Sequence, residues 1–357
     1  MKAAVFHGPG KALTIEQVAE PSPSKTEMLV KVSHCGICGT DIHASREGPF
    51  MAPPETIFGH EFSGEIVAIG KDLVGKNFNI GDRVTSLPFI EDKTIGLGQI
   101  TGAYSEYVKV GYDLVVKLPE EISDSDGALV EPLAVGLHSV KQAGSVGGKD
   151  ILIIGAGPIG LTCALWCRFF GARNVVLSEM SPARLEMAGT LGFRQFTDPS
   201  GDVGAQFTQL TGNAPDIQFE CVGATGLIQE CITRAPKAGL IMGIGVCDNP
   251  DTIVPLLAFS KELTIKWAVG YDKEDFEFTI EMMLAGRMSA TPMVTDVVSL
   301  AEVPEAFDQY QPVLFWLTFV GRYSGHHRFL IMLPTYVLGV LDHQKHPRNP
   351  LMVRKDK

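Results

Sequence analysis

The chain has 357 residues, 45% of them hydrophobic and 20% charged, with a formal net charge of −11 at neutral pH. That length accommodates two domains with sizeable buried cores, and the apolar fraction excludes disorder as the default. The acidic balance, without a basic run, argues against nucleic acid or an anionic membrane as partner.

Taken in order, Lys2–Phe6 and Leu13–Gln17 read as a strand pair turned at Gly8-Pro9-Gly10. No charged leader precedes an apolar run, and the seven cysteines are thinly spread rather than framework-like; both point to a reducing, cytoplasmic location. The loop Pro21–Lys25 leads to the alternating strand Met28–Ser33, and two chemically loaded stretches come next: Cys35-Gly36-Ile37-Cys38-Gly39-Thr40-Asp41-Ile42-His43 and Gly59-His60-Glu61-Phe62-Ser63-Gly64. Cys38, His60 and Glu61 supply a thiol, an imidazole and a carboxylate, a set that suits zinc, and three protein ligands leave a fourth position open for chemistry. Asp41 is an acceptor able to fix a histidine tautomer from behind, and Thr40 and His43 are candidates to pass a proton outward. Read alone, Cys35 and Cys38 form half a zinc finger or a redox pair, but no second pair and no thioredoxin-like context accompany them; Cys35 reads as a small buried hydrophobe.

Glu65–Ile69 and Arg83–Leu87 read as further strands around a Gly81-Asp82 turn, so residues 1–120 form a β-rich, partly barrel-like unit. Asp124–Ala143 is helical in period and contains Glu131-Pro132-Leu133. Beyond it, the apolar runs Ile151–Gly155, Asn174–Glu179, Asp216–Gly223, Leu240–Val246 and Leu263–Gly270 alternate with helix-length segments, the pattern of a parallel sheet. The first run opens into Gly155-Ala156-Gly157-Pro158-Ile159-Gly160: one glycine for the turn, one for approach of a pyrophosphate and one for strand–helix packing, ahead of free helix N–H groups. Glu179 ends the next strand, where a carboxylate holds the ribose hydroxyls of NAD and repels the extra phosphate of NADP; Arg184 lies close by in sequence. Cys163, Cys167, Cys221, Cys231 and Cys247 sit in apolar stretches and read as core, and His138 as a packed histidine.

Cys38-Gly-Thr-Asp-Ile-His43, Gly59-His-Glu61, Glu131-Pro-Leu133, the glycine fingerprint and Glu220-Cys-Val-Gly223 occur in the order seen in zinc-dependent alcohol dehydrogenases of the medium-chain dehydrogenase/reductase superfamily. The chain resembles that family from Met1 to about Gln311, nearest its sorbitol, butanediol and threonine dehydrogenase branch. The resemblance implies a GroES-like catalytic domain (residues 1–135, completed by 271–311) around a Rossmann NAD-binding domain (136–270), and oxidation of a secondary alcohol, diol or polyol by NAD. It implies that Cys38 and His60 are zinc ligands and that Glu61 or Glu131 is the third. Thr40 and His43 would form the proton relay, Asp41 would orient His60, and Val222 and Gly223 would join Gly155, Gly157, Pro158, Ile159, Gly160, Glu179 and Arg184 in binding the cofactor. It also implies a dimer or tetramer paired through Leu263–Gly270.

Two departures from the family stand out. Phe89–Tyr104 contains no cysteine where relatives carry a four-cysteine lobe, so one catalytic zinc and no structural zinc are expected. Residues 312–357 form an atypical tail with apolar pieces at Val313–Val320 and Phe329–Leu341, too short to span a membrane, and Phe315, Trp316, Phe319 and Phe329 would be an exposed apolar patch unless they dock. A catalytically impaired NAD-binding isoform and a zinc-free NADPH-dependent enone reductase are the competing readings; Glu179 and the intact ligand set count against the second.

Overall fold

The computed structural model describes residues 1–310, 319–324 and 326–331. In the N-terminal part, β1 (Lys2–Val5) pairs with β2 (Thr14–Gln17), and β3 (Glu27–Cys35) leads through α1 (Gly39–Ala44) to β4 (Phe62–Ile69) and β5 (Arg83–Ser86). A small hairpin, β6 (Phe89–Ile90) with β7 (Lys93–Thr94), occupies the stretch without cysteines; β8 (Tyr107–Gly111) and β9 (Val115–Lys117) come after it. The five-stranded antiparallel sheet runs β8-β3-β4-β5-β9. β3 buries Met28, Val30 and Val32 on one face; on the other Lys31 is exposed and Glu27 and Ser33 are half-buried, while Leu29 and Cys35 are covered.

The pairing of β3 with β4 brings the two chemically loaded stretches together. Cys35, the last residue of β3, sits opposite Phe62, the first of β4, so the loop after one strand and the loop before the other emerge at the same end of the sheet. A register shift between Val32 and His34 lies just before that end; such bulges bend and twist a strand and re-aim the residues beyond them. Gly64 is needed in this pairing, because a Cβ there would lie 2.2 Å from the Lys31 carbonyl oxygen.

The predicted helix Asp124–Ala143 is two helices, α2 (Asp124–Ala128) and α3 (Val130–Ala143), divided at Leu129. Pro132 has no N–H to offer the Ala128 carbonyl four residues back, so the ladder is interrupted there.

The second part alternates strand and helix: β10 (Asp150–Ile154), α4 (Pro158–Phe169), β11 (Asn174–Ser178), α5 (Pro182–Thr190), β12 (Phe196–Thr197), α6 (Val203–Thr211), β13 (Ile217–Glu220), α7 (Leu227–Arg234), β14 (Leu240–Gly243), α8 (Pro255–Ser260) and β15 (Thr264–Trp267). The six strands are parallel in the order β12-β11-β10-β13-β14-β15. The order reverses between β10 and β13, and in such sheets the crevice outside the strand ends at the reversal is where a ligand binds. α9 (Lys273–Leu284) packs beside α3, and Met282, Met288, Ala290 and Met293 join the apolar core of this parallel sheet. After β16 (Asp296–Val298), the helix α10 (Val303–Tyr310) returns to the first domain, where Leu300, Val303, Ala306 and Phe307 pack with Phe6, Phe58 and Phe62.

Of the predicted tail, β17 (Phe319–Ser324) and β18 (His326–Ile331) form an antiparallel pair, and β18 also pairs with β16. Phe315, Trp316 and most of the two apolar pieces lie outside the described residues. Cys163, Cys167, Cys221 and Cys231 are buried as expected, but Cys247 is exposed, because it lies in the loop beyond β14 rather than in the strand.

Candidate active site

Cys38 is the N-cap of α1, and its sulfur accepts a hydrogen bond from the Thr40 N–H at 3.4 Å. His60 and Glu61 arrive from the start of β4. The ligand atoms of Cys38, His60 and Glu61 lie within 4.8 Å of one another. His60 Nδ1 is 3.2 Å from Asp41 Oδ1, at ion-pair distance though off the line of a strict hydrogen bond. That turns Nδ1 toward the carboxylate and leaves Nε2 as the donor the ring can give. Glu61 is buried, and its Oε2 has no hydrogen-bond partner among the described residues; an orphaned buried carboxylate oxygen is costly unless something else satisfies it. Burial, then the Cys38 thiol and Glu131, push the Glu61 carboxyl well above its ordinary pKa. A half-buried thiol with a buried imidazole and carboxylate, converging with unsatisfied polar atoms, is the donor chemistry of a zinc site.

Asp41 organises this cluster. Fully buried on α1, it accepts from Cys38 N (3.0 Å), Gly59 N (3.5 Å) and the Tyr104 hydroxyl (2.8 Å) while facing His60. Gly59 stands at φ +96°, and a Cβ there would sit 2.5 Å from the Tyr104 ring, so only glycine lets the chain turn into His60 at this point. Burial, then the neighbouring Asp41 charge, raises the Tyr104 phenol well above its usual pKa, which keeps it a donor. Nothing in the sequence context of Tyr104 identifies the contact it makes with Asp41, sixty-three positions away.

Glu131 stands apart from the three-residue cluster but faces the same cavity. It is buried at the start of α3, and the Tyr271 hydroxyl donates to its Oε1 at 2.5 Å. Burial raises the Glu131 carboxyl, partly offset by His60 and by this hydrogen bond. Tyr271 is a second residue that sequence reasoning missed. His138 pairs with Asp275 Oδ2 at 2.9 Å, joining α3 to α9 well away from the cluster.

Cys38, His60, Glu61 and Glu131 open into a cavity of about 270 Å³ that is also lined by Thr40 and His43. Burial lowers the His43 pKa and Arg46 lowers it further, against an opposing pull from Asp248. A neutral imidazole at ordinary pH is able to accept a proton. The far wall of the cavity is formed by Pro158, Ile159 and Val222, at the crevice where the order of the parallel sheet reverses.

That crevice fits a dinucleotide. Gly155 turns at φ +90° with Val222 Cγ2 2.7 Å from where a Cβ would be, and at Gly160 a Cβ would lie 2.0 Å from the Gly155 carbonyl oxygen. Gly157 caps α4, Pro158 is its first residue, and the helix N–H groups face the crevice mouth. Glu179 is nearly buried at the end of β11; its Oε2 accepts from Ala156 N at 3.0 Å and from Arg184 Nη1 at 3.3 Å. Fingerprint turn, acid and arginine are thus one connected unit. Val222 and Gly223 are shaped by Glu220, whose Oε1 accepts both of their N–H groups at 2.7 and 2.8 Å. Of the two, only Val222 reaches the cavity wall.

A thiol–imidazole–carboxylate cluster opening onto a dinucleotide crevice defines the class as a metal-assisted, nicotinamide-dependent oxidoreductase. Comparison with known proteins specifies the family. Residues 24–120 match the alcohol dehydrogenase GroES-like domain and residues 158–285 the zinc-binding dehydrogenase family. (R,R)-Butanediol dehydrogenase of Bacillus subtilis is 33% identical over 331 residues, covering 85% of this chain and 94% of that protein. Sorbitol dehydrogenase of Ovis aries is 31% identical over 328 residues, covering 85% and 91%. The crystal structure of 2R,3R-butanediol dehydrogenase from Bacillus subtilis superposes with a TM-score of 0.81 at 31% identity, covering 90% of this chain and 99% of that one. The chain belongs to the zinc-dependent alcohol dehydrogenases of the medium-chain dehydrogenase/reductase superfamily, oxidoreductases acting on CH–OH groups for which zinc and NAD are typical cofactors. Among the described residues, no helix is long and apolar enough to cross a membrane.

Proposed function

We propose that this chain oxidises a secondary alcohol, diol or polyol to the ketone with NAD, using Cys38, His60 and Glu61 to hold the zinc and Glu131 as a neighbouring carboxylate. The observation that carries this reading is the single cavity shared by the cluster and by Pro158, Ile159 and Val222. When bound, zinc supplies a Lewis acid that makes an alcohol hydroxyl more acidic, and NAD accepts the hydride released from its carbon. The residues do the rest. Asp41, fixed by Tyr104, keeps the His60 ring oriented. Thr40 and His43 take the hydroxyl proton out to solvent, with His43 held neutral for that purpose. Gly155, Gly157 and Gly160 let the cofactor's pyrophosphate approach, and Glu179 with Arg184 receives its ribose end. The balance is two electrons and one hydrogen to NAD and one proton to water, giving ketone and NADH. The carboxylate of Glu179 favours NAD over NADP.

The test is to purify the protein with zinc, offer 2,3-butanediol and sorbitol with NAD, and follow NADH by absorbance alongside metal content. About one zinc per chain and turnover of at least one alcohol are expected. Cys38→Ser and His60→Ala should each lose both metal and turnover. Zinc retained in both variants would refute the ligand assignment, and two zincs per chain would refute the single-site reading.

The same proposal includes a homodimer paired along β15. This strand is the edge of the parallel sheet, and its Trp267 and the adjoining Val269 are 68% and 91% exposed. Pairing two such edges removes an association hazard and buries that apolar surface.

A further inference from the structure

Two glutamates line the catalytic cavity, and their surroundings differ. Glu61 belongs to the three-residue cluster, and its buried Oε2 has no hydrogen-bond partner among the described residues. Glu131 lines the same cavity but lies outside that cluster, and its Oε1 accepts from the Tyr271 hydroxyl at 2.5 Å. It is near enough for its charge to act on Glu61 and for His60 to act on it. One carboxylate is thus offered to a cation, and the other is tied back. Charge and coordination both favour that division. A Cys38 thiolate and the Glu61 carboxylate already balance a divalent ion, and a site that performs chemistry needs its fourth position open. A second carboxylate on the ion would close that position, as in a structural site.

Tyr271 is held rigidly enough to tie Glu131 back. It stands four residues beyond the end of β15, just after Ala268, whose N–H still bonds the Gly243 carbonyl at 3.1 Å. Its ring meets the fully buried Phe276 edge-on, at 5.0 Å between centroids. It also packs on the small apolar core that contains Val130, Ala134 and Ile280. Val130 and Ala134 flank Glu131 on α3, while Phe276 and Ile280 lie on α9. Donor and acceptor are therefore carried by one packed unit. A hydroxyl already fixed by its ring gives up little freedom to make its hydrogen bond, and a bond to a carboxylate is among the stronger kind.

Resting on the dehydrogenase reading above, we propose that Tyr271 is a positioning residue: by holding Glu131 away from Cys38, His60 and Glu61, it keeps the fourth coordination position free for the alcohol. Tyr271→Phe preserves the ring and removes only the donor. The probe is cobalt(II) loaded in place of zinc, without NAD. Its visible absorption bands report the number and kind of ligands, and imidazole titrated against them reports the open position. The wild type should bind imidazole with a change in the bands. In Tyr271→Phe the bands should differ before any imidazole is added, because Glu131 joins the ion. Imidazole should then bind at least roughly 10-fold more weakly, the factor carried by one hydrogen bond to a charged group. Adding Glu131→Ala to that variant should restore imidazole binding, a rescue that a mere packing role for Tyr271 does not produce.

Bands and imidazole affinity unchanged in Tyr271→Phe overturn the proposal. So does a loss that Glu131→Ala fails to rescue, which would assign Tyr271 to packing. If Tyr271→Phe does not fold, Glu131→Ala alone decides: wild-type bands support a glutamate held off the ion, and altered bands show it to be a ligand already and overturn the proposal. These arms do not depend on turnover. A zinc-loaded wild type that oxidises no alcohol sinks the dehydrogenase reading even where the cobalt results hold, whereas turnover with an unmoved Tyr271→Phe spectrum sinks the positioning role alone.

Discussion

Replacing Tyr104 by Phe removes one oxygen from the site and leaves the ring in place. That hydroxyl donates to Asp41 Oδ2 at 2.8 Å, and both side chains are fully buried. A hydrogen bond to a buried charged group is worth about 1.5–3 kcal/mol, and no solvent screening reduces it here. The ring's packing is preserved, including its edge contact with Phe307 at 6.4 Å between centroids, so no cavity cost is added. Tyr104→Phe should therefore lose about 2 kcal/mol in urea unfolding of the zinc-loaded protein. Because Asp41 also orients His60 and keeps its contacts to Cys38 N and Gly59 N, zinc affinity should fall, by less than the roughly 10–100-fold that loss of a ligand's direct outer partner causes. Competition with a chromophoric chelator measures the second quantity. Wild-type zinc affinity together with a stability loss would mean that Tyr104 is a core residue without influence on the metal, and no change in either would refute the reasoning altogether.

Gly160→Ala should abolish NAD binding in a calorimetric titration, because its Cβ would meet the Gly155 carbonyl, a backbone atom that cannot move without distorting the fingerprint turn. His7 places Nδ1 2.9 Å from Glu55 and Nε2 2.7 Å from Glu16, so the paired form is the imidazolium, and hydrogen bonds to Glu55 and then Glu16 raise its pKa above 6.5. Stability from a raised histidine pKa is fully present below the unfolded value and is lost as pH rises through the folded one; His7→Gln should therefore be less stable than wild type at about pH 6 and match it at about pH 9, and a gap that widens with pH would contradict this. Asp150, fully buried, holds Arg173, Asn174 and Asn213 at the base of β10. Asp150→Ala should cost roughly 1–3 kcal/mol, discounted because Arg173 is half exposed, with calorimetric melting as the check. Trp267→Glu should shift the full chain from dimer to monomer in multi-angle light scattering; a monomeric wild type would refute pairing at β15.

The local order of elements was legible because it rests on short-range chemistry: Gly8-Pro9-Gly10 turns a hairpin, alternation in Met28–Ser33 marks a half-buried strand, and Gly155–Gly160 has a mechanism at each glycine. Cys38, His60 and Glu61 were legible as ligand types, since few side chains suit zinc. What brings them together is the pairing of Cys35 with Phe62, a register fixed by the sheet as a whole. The helix expected over Asp124–Ala143 breaks at Leu129, because the apolar period does not register the single N–H that Pro132 lacks. Tyr104 and Tyr271 were invisible as functional residues for a different reason. A tyrosine announces its role only through the carboxylate it reaches, and here Asp41 and Glu131 lie far along the chain and become neighbours only after folding. The sequence by itself determined the chemical types and the cofactor class, because those depend on which atoms are present. Tertiary structure decided which carboxylate lies beside Cys38 and His60 and which groups position those side chains, because distance and burial are properties of the packed chain.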